Sequence, residues 1–252
     1  GVAVGNHLLH VEEVARALTL VPELLPAAAA LADGAELVGV LTHAGDSYEC
    51  KTTAEIEAAA EAERAGIVLA AERLRAAGHT VKIVSAGSTP TLMFAKDETG
   101  VTEMRAGVCA LFDLFMSNVG ACTVDDIAGS VLATVIGRQV DKRRVILDCG
   151  FLALSRDRGT ARQAHDYGYG LVCGLDGKPL ADGTIVLTGT NQEHGILTLP
   201  ENSPLTQEDF PIGRRLRILP NHACPTAAPY GSLVLIENGR VAEVLDHVRG
   251  WD

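Results

Sequence analysis

The sequence predicts an α/β segment followed by an antiparallel β-domain. Three observations carry this reading. Before about residue 120, apolar runs of strand length alternate with helical patterns, the signature of parallel βαβ units. Beyond that point the helical periodicity fades and short β-prone runs succeed one another. Asp176-Gly177, Asp182-Gly183 and Asn238-Gly239 punctuate the second half as turns. The boundary divides the chain into residues 1–120 and 121–252.

The elements follow in order. Residues 10–20 carry a helical pattern, with Val11, Val14 and Leu18 on one face. Residues 37–42 (LVGVLT) have the length of a buried strand. Residues 53–77 form a long helix with the apolar stripe Ile56, Ala60, Ile67, Ala71 and Leu74, and Gly78 stands where a C-terminal cap belongs. Residues 81–85 and 101–105 are two further strands, the second leading into the apolar stretch 109–116. The β-prone runs of the second half are 130–136, 144–147, 184–187, 196–199, 215–219, 232–236 and 241–244. Asn238-Gly239 joins the last two as a hairpin.

Composition narrows the function. The 252 residues carry 21 Lys plus Arg against 32 Asp plus Glu, a formal charge of −11, which disfavours nucleic acid and anionic membranes as partners. Aromatic residues are only 4%, so platforms for stacking bases are scarce. No apolar run reaches the roughly 18 residues that span a bilayer. The first residues lack the features of a secretory leader. Six scattered cysteines without a C-x-x-C pair read as reduced thiols of a cytoplasmic protein.

Several clusters could carry chemistry. Ser85-Ala86-Gly87-Ser88-Thr89-Pro90-Thr91 and Arg105-Ala106-Gly107-Val108 each follow a strand. Glycine lets backbone approach a phosphate and the hydroxyls add donors; such segments also occur simply as loops. Pro220-Asn221-His222-Ala223-Cys224 follows the strand 215–219. If the strand continues, His222 and Cys224 point to one face, and imidazole with thiolate suits zinc; a buried Cys beside a hydrogen-bonded His is the alternative. Thr42-His43-Ala44-Gly45-Asp46-Ser47-Tyr48 lies at the C-terminal end of a strand, the catalytic face of an α/β barrel, or is a polar turn. Glu193 and His194 form either an acid/base pair or a strand cap. The run Ser155-Arg156-Asp157-Arg158-Gly159 reads as a solvated, salt-bridged loop. No GxSxG, Walker loop or GxGxxG following a strand is present.

The ordered segments VSAGSTPT, VTEMRAGVCALFD, DCGFLALSRDRGT, DYGYG, NQEHGIL and LPNHAC resemble the D-serine dehydratase-like family. That group spans D-amino-acid dehydratases and D-threonine aldolases with the alanine-racemase fold, and the resemblance runs from about Leu37 to Trp251. It implies the C-terminal part of a pyridoxal-phosphate-binding (β/α)8 barrel followed by a β-domain. Gly87, Ser88, Thr89, Gly107 and Val108 would hold the cofactor phosphate. His43 would lie against the pyridine ring, Tyr48 would sit beside substrate or cofactor, and His222 and Cys224 would bind Zn²⁺. The aldolase branch carries His-x-Asp at the metal pair, so Cys224 favours a dehydratase. Cys109 is a departure, since many members have Tyr there.

A second departure concerns the Schiff-base lysine. The family carries it in an Arg-Pro-His-x-Lys type segment near the first barrel strand, and Lys51, Lys82, Lys96, Lys142 and Lys178 all lie in other contexts. The resemblance makes residues 37–42, 81–85 and 101–105 barrel strands six to eight. It therefore places five strands and the lysine ahead of Gly1, about 130 residues by the size of such barrels. The implied reaction removes water, then ammonia, from a small D-β-hydroxy amino acid such as D-threo-3-hydroxyaspartate or D-serine, in a homodimer with the active site at the subunit interface. Retro-aldol cleavage and a non-catalytic fragment lacking the lysine are the alternatives.

Overall fold

The computed structural model describes residues 37–248. The helical pattern expected at residues 10–20 lies outside them. The chain divides into two compact units, one ending at Gly107 and one beginning at Val108. Residues 108–120, expected with the first part, belong to the second. Leu114 N–H donates to the Pro220 carbonyl at 3.1 Å and Phe115 N–H to that of Asn221 at 3.2 Å.

In the first unit, β1 (Gly39–Leu41), β2 (Ile83–Ala86) and β3 (Glu103–Met104) form a parallel sheet in that order. Helix α1 (Thr53–Ala76) crosses from β1 to β2. Its start is written in sequence: Thr52 accepts the Glu55 N–H and the Glu55 carboxylate accepts the Thr52 N–H, a reciprocal cap. Beyond its end the backbone turns left-handed at Gly78 (φ 91°). The stripe Ile56, Ala60, Ile67, Ala71 and Leu74 is buried as expected, and Ile67, Ala71 and Leu74 pack with Val81, Val84 and Ala86. A short helix α2 (Thr89–Phe94) follows β2. The third strand is only two residues long, shorter than the expected run.

The second unit begins with helix α3 (Leu114–Val119). It then builds a six-stranded antiparallel sheet from β4 (Val131–Gln139), β5 (Arg144–Leu147), β6 (Leu171–Cys173), β7 (Leu187–Thr190), β8 (Gly195–Thr198) and β9 (Arg215–Leu219), in the order β6-β9-β4-β5-β8-β7. In β4, Val131, Ala133 and Val135 are buried while Leu132 and Ile136 are exposed, the alternation a one-sided sheet requires. Phe210, fully buried, joins Val145, Leu147, Leu197, Leu216 and Ile218 in the core. The run expected at 184–187 serves two edges. Val172 N–H donates to the Ile185 carbonyl at 3.0 Å and Leu187 N–H to that of Gly170 at 2.9 Å. Those bonds join the β6 edge to the residues entering β7, so the sheet curls back on itself.

Two short helices, α4 (Phe151–Leu154) and α5 (Ala223–Ala227), lie outside the sheet. Strands β10 (Ser232–Glu237) and β11 (Arg240–Asp246) form the expected hairpin, with Asn238 (φ 50°) and Gly239 (φ 74°) both left-handed at its turn. No helix among the described residues is long and apolar enough to cross a membrane.

The core makes a direct prediction. Phe210→Ala should destabilise the second unit by about 3–5 kcal/mol, the usual cost of emptying a packed aromatic site, measured by denaturant unfolding. An unchanged midpoint would show that the sheet is not packed around this ring.

Candidate functional site

The C-terminal ends of β1 and β2 gather the first group of residues. Thr42 N–H donates to the Ser85 carbonyl at 3.0 Å, continuing the β1–β2 ladder by one residue. His43 Nδ1 lies 3.0 Å from the Gly87 carbonyl oxygen, so Nδ1–H is the donor and Nε2 is left for other partners. The His43 and Tyr48 ring centroids are 5.7 Å apart. Ser47, fully buried, donates to the Ala44 carbonyl at 2.7 Å and meets Ser88 Oγ at 3.0 Å.

Glu63 organises this group from behind. Its Oε1 accepts the N–H of Ala44 at 3.1 Å and of Gly87 at 3.0 Å, and its Oε2 accepts the Thr91 hydroxyl at 2.8 Å. One buried carboxylate therefore ties the loop after β1 to the loop after β2. Ser88 caps α2 with Thr91 as its reciprocal partner. The N–H groups of Gly87 and Ser88 are thus held within the loop and set its path.

Arg105 closes the other side, donating to the Ser85 hydroxyl at 2.5 Å and to the Thr42 and Gly87 carbonyls. Glycine is required at position 87, since a Cβ would sit 2.8 Å from the Arg105 backbone and φ is 130°. At Gly107 a Cβ would press on Thr89 Oγ1 at 3.2 Å. The structure therefore brings together His43, Tyr48, Gly87, Ser88, Thr89 and Gly107 in one unit. Val108 begins the next.

The second group lies at the end of β9. The strand does not continue to His222: Pro220 has no N–H for the ladder, the backbone turns, and His222 (φ −140°, ψ 112°) becomes the residue before α5. His222 and Cys224 meet across the start of a helical turn instead of along a strand face. Asp113 fixes the backbone between them. It is 1% exposed, and its Oδ2 accepts the Ala223 N–H at 2.8 Å while its Oδ1 caps α3 through the Met116 N–H at 2.9 Å. Burial raises its pKa above the usual carboxylate value, against the pull of those two donors.

Asn221, also buried, donates to the Asp157 and Gly168 carbonyls at 2.9 and 2.7 Å and accepts the Thr160 hydroxyl at 3.2 Å. His222 Nδ1 lies 2.6 Å from Asp157 Oδ2. Hydrogen bonds to Asp157 first and Cys224 second raise the imidazole pKa to about 10, while the bond from His222 lowers that of Asp157.

Among the described residues there is no group of three or more His, Cys, Asp or Glu side chains placed to hold a metal ion. His222 and Cys224 are a pair. The Arg156–Arg158 run is only partly the salt-bridged loop expected. Arg158 pairs with Asp166 at 2.8 Å and Arg156 stacks 3.9 Å from the Phe151 ring, but Asp157 between them turns to His222. Residues 191–194 form the turn between β7 and β8, and Gly195 opens β8; Phe151 and Leu152 donate their N–H groups to the carbonyls of Asn191 and Gln192 at 2.9 and 3.2 Å.

Sequence reasoning missed three carboxylates, Glu63, Asp113 and Asp157. Glu63 carries a readable signal, because it interrupts the α1 stripe at a position with buried phase. Asp113 carries another, as an Asp directly before a helix.

The two units, a parallel α/β element and a curled antiparallel sheet each bearing one of these groups, define a protein of the alanine-racemase-like architecture. A family profile described as "Alanine racemase, N-terminal domain" matches residues 16–114, and one described as "Putative serine dehydratase domain" matches 128–236. The D-threo-3-hydroxyaspartate dehydratase of Delftia sp. (strain HT23) is 51% identical over 233 residues, covering 91% of this chain and 61% of its own length. A D-serine dehydratase of Dictyostelium discoideum is 30% identical over 204 residues, covering 79% of this chain and 51% of its own. The solved Delftia enzyme superposes with a TM-score of 0.82 at 48% identity, covering 98% of this chain and 64% of that one. Solved variants of that dehydratase include a cysteine-to-alanine form that is metal-free and a form in which the histidine two positions earlier is alanine. The chain belongs to the D-serine dehydratase-like family. It spans about three fifths of the length of the Delftia relative.

The Glu63 network gives the second prediction. Each buried donor stranded by removal of its acceptor costs about 1–3 kcal/mol, so Glu63→Leu, which strands three, should lose at least about 3 kcal/mol of stability. Glu63→Gln keeps one acceptor oxygen and should lose less. Chemical denaturation with amide exchange at Ala44 and Gly87 checks this; equal stability of wild type and Glu63→Leu would refute the hub.

Proposed function

We propose that the whole protein of which this chain is part is a pyridoxal-phosphate- and zinc-dependent lyase. It would eliminate water, then ammonia, from a small D-β-hydroxy amino acid such as D-threo-3-hydroxyaspartate. The observation that carries the reading is the His222–Cys224 pair, clamped by Asp113 and Asp157. Its spacing matches the histidine and cysteine replaced in the solved Delftia dehydratase variants, the second of which is metal-free.

The residues present fit both groups. An imidazole nitrogen and a thiolate are suitable zinc donors, and two protein ligands leave positions open for substrate or water. Zinc bound there supplies Lewis acidity toward the β-hydroxyl. Pyridoxal phosphate supplies the electron sink that lets an α-proton leave. The glycines at 87 and 107 let the loop after β2 pack closely against the Arg105 backbone and Thr89, and Ser88 and Thr89 carry hydroxyls suited to a phosphate. In the family pattern Gly87, Ser88, Thr89, Gly107 and Val108 would hold that phosphate. His43, its ring set by the bond to Gly87, would lie against the cofactor ring beside Tyr48.

All five lysines of the chain are exposed, and Lys96 is engaged with Glu57 at 3.0 Å. The Schiff-base lysine of the family therefore has no counterpart in the cradle of the first unit, and the reading assigns it to the part of the relatives' length that this chain does not span. A homodimer with its active site at the interface follows from the family resemblance. A cytoplasmic location is supported by six cysteines that are all unpaired.

The test is product analysis with the full-length protein supplied with pyridoxal phosphate and zinc. Ammonia and a 2-oxo acid in equal amounts from D-threo-3-hydroxyaspartate or D-serine are expected, with loss of at least tenfold in turnover for Cys224→Ala. Glycine and an aldehyde from D-threonine, without ammonia from the other two, would establish retro-aldol cleavage instead. Absence of all these products would overturn the lyase reading.

A further inference from the structure

We infer that Asp157 is a positioning residue for the metal site: it holds the His222 imidazole through Nδ1 and so presents Nε2 to the ion. The inference rests on the metal reading given above and says what the Asp157 contact does in it. The contact is a single short hydrogen bond, His222 Nδ1 to Asp157 Oδ2 at 2.6 Å. An ionised carboxylate only accepts, so Nδ1 keeps its proton and Nε2 is the nitrogen that gives up its proton to a cation. Carboxylates placed in this way fix both the tautomer and the ring plane of metal-binding histidines.

Asp157 is itself held at three points. Its Oδ1 accepts the Gly159 N–H at 2.7 Å, its carbonyl accepts the Asn221 amide at 2.9 Å, and its own N–H donates to Ser155 Oγ at 3.2 Å. The turn that delivers it is specific: Ser155 is left-handed (φ 78°), and a Cβ at Gly159 would lie 2.3 Å from the Phe115 ring and 3.0 Å from Asp157 Oδ1. Its two arginine neighbours are engaged elsewhere, Arg156 over the Phe151 ring and Arg158 with Asp166 and the Tyr169 ring. Neither neutralises the carboxylate, which is left to the imidazole. Asn221 adds a mechanical link, because the residue next to His222 in the chain is the one that grips the Asp157 carbonyl. The loop and the histidine are therefore fixed to each other at two points.

The test measures zinc affinity of the full-length protein by competition with a chromophoric chelator. His222→Ala and Cys224→Ala serve as reference variants. Asp157→Ala should weaken zinc binding about 10–100-fold, the usual range for removing such a partner. Asp157→Asn, which preserves the shape of the loop, should weaken it less but measurably. In wild type with zinc, ¹⁵N-correlated spectra of the His222 ring should show a protonated Nδ1 and a metal-bound Nε2. Zinc affinity unchanged in both Asp157 variants, with a large loss in His222→Ala and Cys224→Ala, would overturn the role of Asp157 and leave the metal pair standing. Equal affinity in all five proteins would overturn the metal reading itself. If Asp157→Ala does not fold, Asp157→Asn and the ring spectra decide.

Discussion

A carboxylate taken out of water must be supplied with donors, and that constraint shapes both halves of this molecule. In the first unit Glu63 reaches up from the buried stripe of a long helix. It is satisfied only where the loop after β1 and the loop after β2 each give it an N–H and the following helix gives it a hydroxyl. In the second unit Asp113 is satisfied only where the start of α3 and the backbone between His222 and Cys224 both point their N–H groups at it. Neither carboxylate faces the chemistry directly. Each makes one loop arrangement far less costly than its alternatives, so the functional side chains are in place before anything binds.

The second unit adds a layer to this logic. Its curled sheet is an apolar scaffold whose strands end at Leu219, and the polar machinery begins at the next residue, where proline stops the ladder. From there Asn221 and His222 are both bound to the 157–168 loop and Ala223 to Asp113. Three consecutive residues tied down in this way leave little freedom for the histidine among them and the cysteine that follows. Such rigidity suits the proposed metal site, to which this chain would give two ligands, because a metal held by few ligands depends strongly on how those ligands are oriented.

Much of this architecture could be read in the chain itself. Strand β9 spans 215–219 as expected, because its alternation is clean and Pro220 ends it. Helix α1 keeps its apolar stripe buried and stops where Gly78 says it should, and Asn238-Gly239 makes the hairpin. Strand β6 was not legible: three wholly buried residues between glycines show no alternation, and only tertiary pairing, with β9 on one edge and residues 185–187 on the other, makes them a strand. The candidate residues were found as types, but their geometry was not. His222 and Cys224 suit a metal by chemistry, yet the strand continuation that would align them is absent and a helix start does the work. Asp157 looked like one charge among three, and its role is set by a residue 65 positions away, a distance over which local pattern carries no information.

Whether His222 and Cys224 bind a metal together decides the proposed function. X-ray absorption at the zinc edge of the full-length, zinc-loaded protein addresses this most directly. The proposed ligation predicts one sulfur scatterer at about 2.3 Å and one imidazole nitrogen at about 2.0–2.1 Å, with the sulfur shell lost in Cys224→Ala. A zinc shell made only of oxygen and nitrogen, unchanged by that substitution, would contradict it.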